Sequence, residues 1–402
     1  MRPPRRSLHP LAGLGLLACL AACPTKREED GPSLAPTPRA EGSGGPVAPE
    51  TPDADESAHH VVFADRTSQA YLLLVAAPGP PLTRESLAAL VRTALPGAEA
   101  EPEVELLLEL VATEPLPAQT DPSLSAEQAQ AIRHRDLLGL HFDVLPVAPA
   151  GEEPLVPLEV LRDPISTREL SDQERASLPA RQHAVVLRAH YRNRYAVRGL
   201  RLLQTLVRLL AVDRGALIHD PDTGETMGPE AFTRRRLQAS LGNVADQVVV
   251  VPFGDPRHGD GTVRLSTRGM RRFGSVDLEL DGLPRDPAVL DAATHLLVGL
   301  AYRLTRMGEY DREGYAVEVD DVITLTLADV TQAYAGRSAR VPTCDGCPRQ
   351  VDVHLLERPP EPHDPVEHVV ARVVAPRRIS DADDYDHPAW ARRALADLLG
   401  VR

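Results

Sequence analysis

The sharpest local motif in the chain is Cys344-Asp345-Gly346-Cys347, in which two residues separate two thiols. Three kinds of chemistry fit this spacing: a local disulfide, a redox-active pair and half of a zinc site. Zinc would need two more ligands, and the downstream histidines do not have the spacing of a standard zinc finger; these are His354, His363 and His368. A redox pair needs a helix N-terminus, whereas prolines flank this pair. We predict a structural disulfide first, with metal and redox roles as the alternatives.

A second candidate site is a strip of arginines along one side of a predicted long helix. Its members are Arg194, Arg198, Arg201 and Arg208. A guanidinium group is a planar fork of donors and therefore suits carboxylate and phosphate. Exposed arginines more often pair with neighbouring acids, so we expect ordinary ion pairs first and an anion-binding site second. Three further arginines would extend the strip only if the fold brings them near; these are Arg268, Arg271 and Arg272.

Acidic residues cluster at two points of the sequence. The segment Asp220-Pro221-Asp222-Thr223-Gly224-Glu225 superficially resembles a calcium loop, but its glycine comes one position early and Ala231 stands where an EF-hand has glutamate. This order of residues is typical of a tight turn. The second cluster comprises Asp381, Asp383, Asp384 and Asp386 beside His387. It could bind a cation, but we expect it to cap the final helix, where negative charge is favourable.

Several large enzyme classes are disfavoured by their missing motifs. The chain has no Gly-x-Ser-x-Gly elbow, no His-Glu-x-x-His and no phosphate-binding Walker loop. We therefore predict no catalytic residue, no cofactor and no metal, and favour a binding role while leaving an enzyme open. The alternative is a hydrolase or metal-dependent enzyme whose site is assembled from distant residues, namely His219, Asp220, Asp222 and the arginine strip.

The N-terminal segment is organised like a secretory signal, with Arg2, Arg5 and Arg6 before a short apolar run. A run of about 12 residues is too short for a bilayer, which needs roughly 20. The residues Leu20-Ala21-Ala22-Cys23 resemble the lipobox of bacterial lipoproteins. That resemblance implies removal of residues 1–22 and attachment of palmitate-type acyl chains to Cys23, which anchor a protein stably. An ordinary cleaved signal and a buried apolar helix are the alternatives.

The resemblance also implies that the protein is located in the cell envelope. In some lipoproteins an aspartate after the acylated cysteine marks retention in the inner membrane, and this chain has Pro24 there. We therefore expect a lipid-anchored periplasmic protein, at the outer membrane more than the inner. The partners we expect are the membrane, through the lipid, and an envelope protein or an anionic ligand.

Net charge argues against nucleic acid as a partner. The chain carries −14, and removal of residues 1–22 takes away three arginines and leaves −17. Phosphate backbones are held mainly by lysine and arginine, which are outnumbered here. Residues 23–57 are rich in proline, glycine and alanine, and they predict a disordered stalk with a reach of roughly 30–35 Å.

Beyond the stalk, apolar runs alternate with amphipathic stretches, which predicts an α+β fold with mixed or antiparallel sheets and packed helices. We expect two related α/β sandwich units, over residues 58–180 and 181–402. The predicted strands are His59–Ala64, Tyr71–Ala76, Glu103–Ala112, Gln182–Tyr191, Ala216–His219, Gln247–Pro252 and Ser275–Leu280. One predicted helix begins at Thr83. The other predicted helices are Ala126–Leu137, Pro157–Leu161, Tyr195–Val212, Pro229–Leu237, Pro287–Leu304 and Ala389–Leu399.

Residues 184–284 resemble a bacterial domain of unknown function. The segments that carry the resemblance are the long helix, Ala216–His219, Gly228–Phe232 and Thr267–Gly274. The resemblance implies no activity. We therefore expect an anchored envelope protein with a binding or assembly role.

Overall fold

The computed structural model describes a series of segments from residue 61 onward. They are residues 61–63, 65–97, 101–115, 125, 127, 135–149, 153–238, 243–308, 317–334, 341–342, 344–361, 364 and 368–401. Cys23 and the stalk expected over residues 23–57 lie outside the described residues. Most of the helix expected over Ala126–Leu137 also lies outside them, although Leu137 itself begins a strand.

Strands occur along the whole described part of the chain. In chain order they are β1 Val62–Phe63, β2 Arg66–Val75, β3 Leu137–Pro146, β4 His183–Arg192, β5 Leu217–Asp220, β6 Glu225–Met227, β7 Val249–Gly254, β8 Thr262–Arg268, β9 Asp277–Pro284, β10 Val317–Glu318, β11 Ile323–Thr326, β12 Gln350–Arg358 and β13 Val370–Val374. A five-stranded antiparallel sheet has the order β3-β4-β2-β5-β6. A six-stranded sheet has the order β11-β12-β13-β9-β8-β7, and β1 pairs with β10.

The helices of the described segments vary from one turn to six turns. They are Arg84–Ala94, Pro102–Ala112, Leu158–Arg162, Asp172–Ser177, Ala196–Arg214, Pro229–Phe232, Pro287–Gly308, Leu327–Ala333, Arg377–Ser380 and His387–Leu399. A π-helical turn, Thr233–Leu237, continues the helix Pro229–Phe232. None of the helices in the described segments combines the length and the apolar character that crossing a bilayer requires.

The α+β class with mixed and antiparallel sheets and packed helices is confirmed. The second sheet is mixed because β13 runs parallel to β9, while the first is antiparallel throughout. The sequence predicts a domain boundary between residues 180 and 181. The first sheet contains strands from both sides of it, because β4, which follows the boundary, pairs with β2 and β3, which precede it.

One strand prediction was wrong: the segment Glu103–Ala112 is helical, within the helix Pro102–Ala112. Its buried residues recur at spacings of three and four, namely Val104, Leu107, Leu110 and Val111. Pro102 stands in the first turn, where a proline costs no hydrogen bond, and acidic residues accompany it there. Short apolar runs such as Leu106-Leu107-Leu108 fit both periodicities, which explains the error.

The long helix Ala196–Arg214 packs on the first sheet through the apolar stripe that its sequence predicts. Leu200, Leu203, Leu206 and Leu210 are all buried. Gly199 allows close approach to the sheet, because a Cβ there would overlap the ring of Tyr191. This helix covers one face of the first sheet, and a smaller apolar cluster that includes Leu72, Leu74 and Val186 covers the other.

The second sheet has one apolar and one charged face, because successive side chains of a strand point to opposite sides. On β9, Leu278 and Leu280 join the apolar core that includes the helix Pro287–Gly308. The residues that alternate with these leucines are charged and almost completely buried, namely Asp277, Glu279 and Asp281. A buried row of carboxylates requires cations beside it, and the adjacent strand and loops supply arginines.

Candidate functional site

A cavity of about 310 Å³ lies where the two sheets meet. The first sheet contributes the beginning of β2, and the second contributes the turn before β9 and residues 368–369. Its polar side chains include Arg66, Ser68, Arg271, Ser275, Asp277 and His368. Most of the lining is therefore charged or hydrogen-bonding, which favours a polar ligand.

Local chain geometry fixes the wall of this cavity. Thr67 in β2 donates from its hydroxyl to the carbonyl oxygen of Arg271, at 2.8 Å. Gly274 follows with a φ of 67°, and a Cβ there would overlap the side-chain amide of Asn193. Only glycine fits both requirements, so the turn can pass close to the first sheet. Ser275 and Asp277 then face the cavity directly after this turn.

His368 lies between two carboxylates at the cavity floor. Its Nδ1 is 2.9 Å from Asp277 Oδ2, and its Nε2 is 3.5 Å from Asp222 Oδ1. Burial alone would lower the pKa of His368, but the hydrogen bonds and charges of Asp222 and Asp277 raise this pKa to about 9. The ring is therefore an imidazolium at neutral pH and joins the two sheets, since Asp222 belongs to the first and Asp277 to the second.

A buried ionic network lies behind His368. Arg272 Nη2 is 2.9 Å and 3.1 Å from the two carboxylate oxygens of Asp220, and 3.7 Å from Asp222 Oδ2. Arg236, on the π-helical turn, donates to Glu225 at 2.7 Å and to Asp220 at 3.3 Å. Burial would raise the pKa of Glu225, but Arg236 and Arg235 lower it to about 2. These acids are neutralised internally, so they are not available as cation ligands.

The cavity itself is left with a positive character. Arg66 is exposed at its mouth, Arg271 is half-buried in its wall, and the His368 imidazolium stands at its floor. Asp277 is the lining carboxylate and is held by that imidazolium. The Ser275 hydroxyl is 9 % exposed and has no hydrogen-bond partner among the described residues. A buried, unpaired hydroxyl is costly and is best satisfied by a ligand or water.

The four arginines of the predicted strip are held by different partners. Arg194 pairs with Asp136 at 2.9 Å, and Arg198 pairs with Glu103. The remaining two donate to opposite ends of the π-helical turn. Arg201 donates to the carbonyl oxygen of Leu237, and Arg208 donates to the hydroxyl of Thr233. Of the three further arginines, Arg271 lines the cavity and Arg272 neutralises Asp220. Arg268 pairs with Asp364 instead.

His219, Asp220 and Asp222, which were proposed for an assembled enzyme site, are buried, and the arginine strip proposed with them pairs with other residues. His219 is 4 % exposed, and its Nδ1 is 2.9 Å from the hydroxyl of Thr226. Burial lowers the pKa of His219 to about 4. Asp220 and Asp222 are 1 % and 2 % exposed and are paired with arginine and histidine. Asp220–Gly224 forms a turn, closed by the Gly224 N–H donating to the Asp220 carbonyl at 2.8 Å.

The cysteine motif and the final acidic cluster have local structural roles. A disulfide joins Cys344 to Cys347, and Arg349 donates to the carbonyl oxygen of Cys344 at 3.0 Å. Asp386 caps the helix His387–Leu399 by accepting from the Ala389 N–H at 3.0 Å, as the sequence predicts for this cluster.

Compared with known proteins, the chain matches no family model, no curated protein and no solved structure. Its function therefore has to be inferred from its own residues. The sequence indicates some of these only indirectly: His368 is one of the histidines downstream of the cysteine pair, and Ser275 and Asp277 belong to no motif. The alternation Asp277-Leu278-Glu279-Leu280-Asp281 was the available signal for a strand with one charged face.

Proposed function

We propose that this protein is a lipid-anchored envelope protein that binds a small oxyanion, a carboxylate or a phosphate, in the cavity between its two sheets. The observation that carries the proposal is the cavity lining: two arginines and a buried hydroxyl without a hydrogen-bond partner among the described residues converge on it. The arginines are Arg66 and Arg271, while the charge of His368 is offset by Asp222 and Asp277. The cavity volume of about 310 Å³ suits a small molecule.

Each of these groups has a distinct part in binding. The planar guanidinium groups of Arg66 and Arg271 can donate in pairs to carboxylate or phosphate oxygens. The Ser275 hydroxyl donates a hydrogen bond from the buried end, where water does not compete. The positive charge of His368 prevents Asp277 from repelling an anion. Specificity comes from the buried donor, because a ligand without an acceptor there leaves the hydroxyl unpaired.

The same geometry favours binding over hydrolysis. A serine nucleophile needs a neutral histidine whose free nitrogen accepts the hydroxyl proton. Both ring nitrogens of His368 face carboxylates, and its raised pKa keeps both protonated at neutral pH. The other candidate base, His219, is enclosed in the protein interior. An envelope hydrolase built on His219, Asp220 and Asp222 remains the second candidate, favoured only by the proximity of these groups.

Anion binding can be tested by isothermal titration of the purified full-length protein with inorganic phosphate and with succinate. We expect the double variant Arg66→Gln/Arg271→Gln to weaken binding of the preferred anion at least about tenfold, because each lost charged hydrogen bond contributes about 1.5–3 kcal/mol. The charge-matched control is Arg92→Gln/Arg392→Gln, since both arginines are exposed outside the cavity lining.

Equal weakening in the two double variants would show general charge attraction and reject the cavity as the site. The variant Ser275→Ala removes the buried donor without changing charge. It should weaken the oxyanion several-fold, whereas unchanged affinity would mean that the ligand does not reach the cavity floor.

The proposed anchor has its own test. Mass spectrometry of the mature protein is expected to show an N-terminal Cys23 that carries a diacylglycerol and an amide-linked acyl chain. The variant Cys23→Ser should release the protein from the membrane fraction, while Cys19→Ser, which changes another cysteine of the N-terminal segment, should leave it there. An intact leader, or a mature N-terminus without acyl chains, would overturn the envelope anchor and leave the cavity proposal unaffected.

A further inference from the structure

We propose that Asp255, His258, Asp281 and His387 form a binding site for Zn²⁺, separate from the oxyanion cavity. One ligand atom from each of the first three residues lies within 4.8 Å of the others. Tetrahedral zinc with bonds of roughly 2.0–2.2 Å holds its ligands about 3.4 Å apart. The three ligand atoms must therefore approach one another by up to about 1.4 Å to surround one ion.

Three separate parts of the second sheet and its surroundings converge here. Asp255 and His258 flank the short 3-10 turn Pro256–His258 that follows β7. Asp281 comes from the buried row of carboxylates on β9. His387 is the first residue of the final helix, and its ring stacks on that of His258 with centroids 5.7 Å apart. The fold thus places two imidazoles beside one buried carboxylate.

An unsatisfied contact at the centre of this cluster points to a bound cation. His387 Nε2 lies 2.7 Å from Asp281 Oδ1, but outside hydrogen-bonding geometry. Neither atom has a hydrogen-bond partner within the part of the chain that the structure describes, although His387 is 5 % exposed and Asp281 is 0 % exposed. When Nε2 carries no proton, its lone pair faces that of Oδ1, which is destabilising alone and favourable when the two atoms share a metal ion.

The second ring nitrogen of His387 is already oriented for such a role. Its Nδ1 is 2.8 Å from the hydroxyl of Tyr385. When Nδ1–H donates to Tyr385, the lone pair of Nε2 is directed at Asp281. Histidines that bind metals typically donate their other N–H to a fixed partner, which sets the tautomer and the ring orientation. Two nitrogens and two carboxylate oxygens are donors that suit zinc better than calcium or magnesium.

Two arginines compete with the ion and limit its affinity. Arg372 Nη2 is 2.8 Å from Asp281 Oδ2, and Arg257 Nε is 3.1 Å from Asp255 Oδ1. Oδ1 of Asp281 faces His387, whereas Oδ2 is shared by Arg372 and by Nε2 of His258, which is 3.3 Å from it. His258 is partly exposed, with 20 % of its side chain accessible, and gives the ion a path from solvent.

The test is a titration of the purified, tag-free, full-length protein with Zn²⁺ after dialysis against a chelator. Reductant is left out, so that the Cys344–Cys347 disulfide keeps its thiols from binding the metal. We expect a single zinc ion per chain, and Co²⁺ in its place should give the visible absorbance of tetrahedral coordination. The variant His258→Ala should weaken Zn²⁺ binding at least about tenfold, since even outer-shell losses cost 10- to 100-fold.

The matched control is His141→Ala, which removes an exposed histidine from β3. It should bind Zn²⁺ like the wild type. If His258→Ala proves unfolded by circular dichroism, His258→Gln keeps a polar side chain at the turn and provides the same comparison. Absence of stoichiometric binding by the wild type, or equal affinity in the His258 and His141 variants, would overturn the site.

Discussion

Replacing Arg272 by methionine is expected to lower the free energy of unfolding by about 3–5 kcal/mol. Arg272 is 0 % exposed, and its Nη2 donates to both oxygens of Asp220, at 2.9 Å and 3.1 Å. Methionine keeps most of the apolar volume but removes the charge, so Asp220 is left buried with less compensation. Urea unfolding followed by circular dichroism measures the change.

A control separates loss of this ion pair from loss of any arginine. Arg92→Met changes an exposed residue of the helix Arg84–Ala94 and should shift stability by no more than about 0.5 kcal/mol. The double variant Arg272→Met/Asp220→Asn removes both charges, while Arg236 keeps Glu225 as a partner. It should therefore be less destabilised than the two single variants together, by about 0.5–3 kcal/mol. Simple additivity would contradict a direct ionic coupling.

Stability is also expected to fall as the pH rises from about 6 to 10, because of His368. Its pKa in the folded protein is about 9, against an ordinary value of 6.5. A raised pKa in the folded state means that the contribution is fully present below pH 6.5 and is lost as the pH rises through about 9. At about 1.4 kcal/mol for each pKa unit, this contribution is about 3 kcal/mol.

The variant His368→Gln isolates this effect. It keeps a polar side chain between Asp222 and Asp277 but does not titrate, so its stability should vary less between pH 6 and pH 10 than that of the wild type, by about 3 kcal/mol. The exposed His141 serves as the comparison, and His141→Gln should follow the wild-type pH profile. If the His368 variant also follows that profile, the imidazolium does not stabilise the junction between the sheets.

Both predictions depend on contacts between residues that are distant in sequence. Arg272 meets Asp220 from 52 positions away, and His368 meets Asp277 from 91 positions away. In the sequence, these residues look like many other charged residues that lie at the surface. Only the order of strands in the two sheets brings them together and excludes water, and that exclusion gives the pairs their large energies.

The cavity between the two sheets could not be predicted for the same reason. It opens between the beginning of β2 and a turn some 200 residues later in the chain, joined by the hydrogen bond from Thr67 to Arg271. The sequence predicts the arginine strip because its members are neighbours on one helix. The cavity arginines, Arg66 and Arg271, come from distant parts of the chain. Spacing along a helix detects the first arrangement and cannot detect the second.

What the sequence alone determined is local. The helix start near Thr83, the cap at Asp386 and the apolar stripe of Ala196–Arg214 all follow from the order of a few neighbouring residues, and the structure contains each of them, with Thr83 as the N-cap. The alternation of apolar runs with amphipathic stretches likewise predicts an α+β fold, and this class is confirmed. Periodicity succeeds here because backbone hydrogen bonds and side-chain faces repeat over short distances.

What only the tertiary structure decided is which charged groups share an interior. The parallel pairing of β13 with β9, the position of β4 between β2 and β3, and the meeting of His387 with Asp281 are set by packing of the whole chain. A carboxylate is the same chemical group in water and in a protein core. Its pKa and its interaction energy with charged partners depend on the local dielectric constant and on the groups around it. Those are properties of the assembled sheets, and no short stretch of residues contains them.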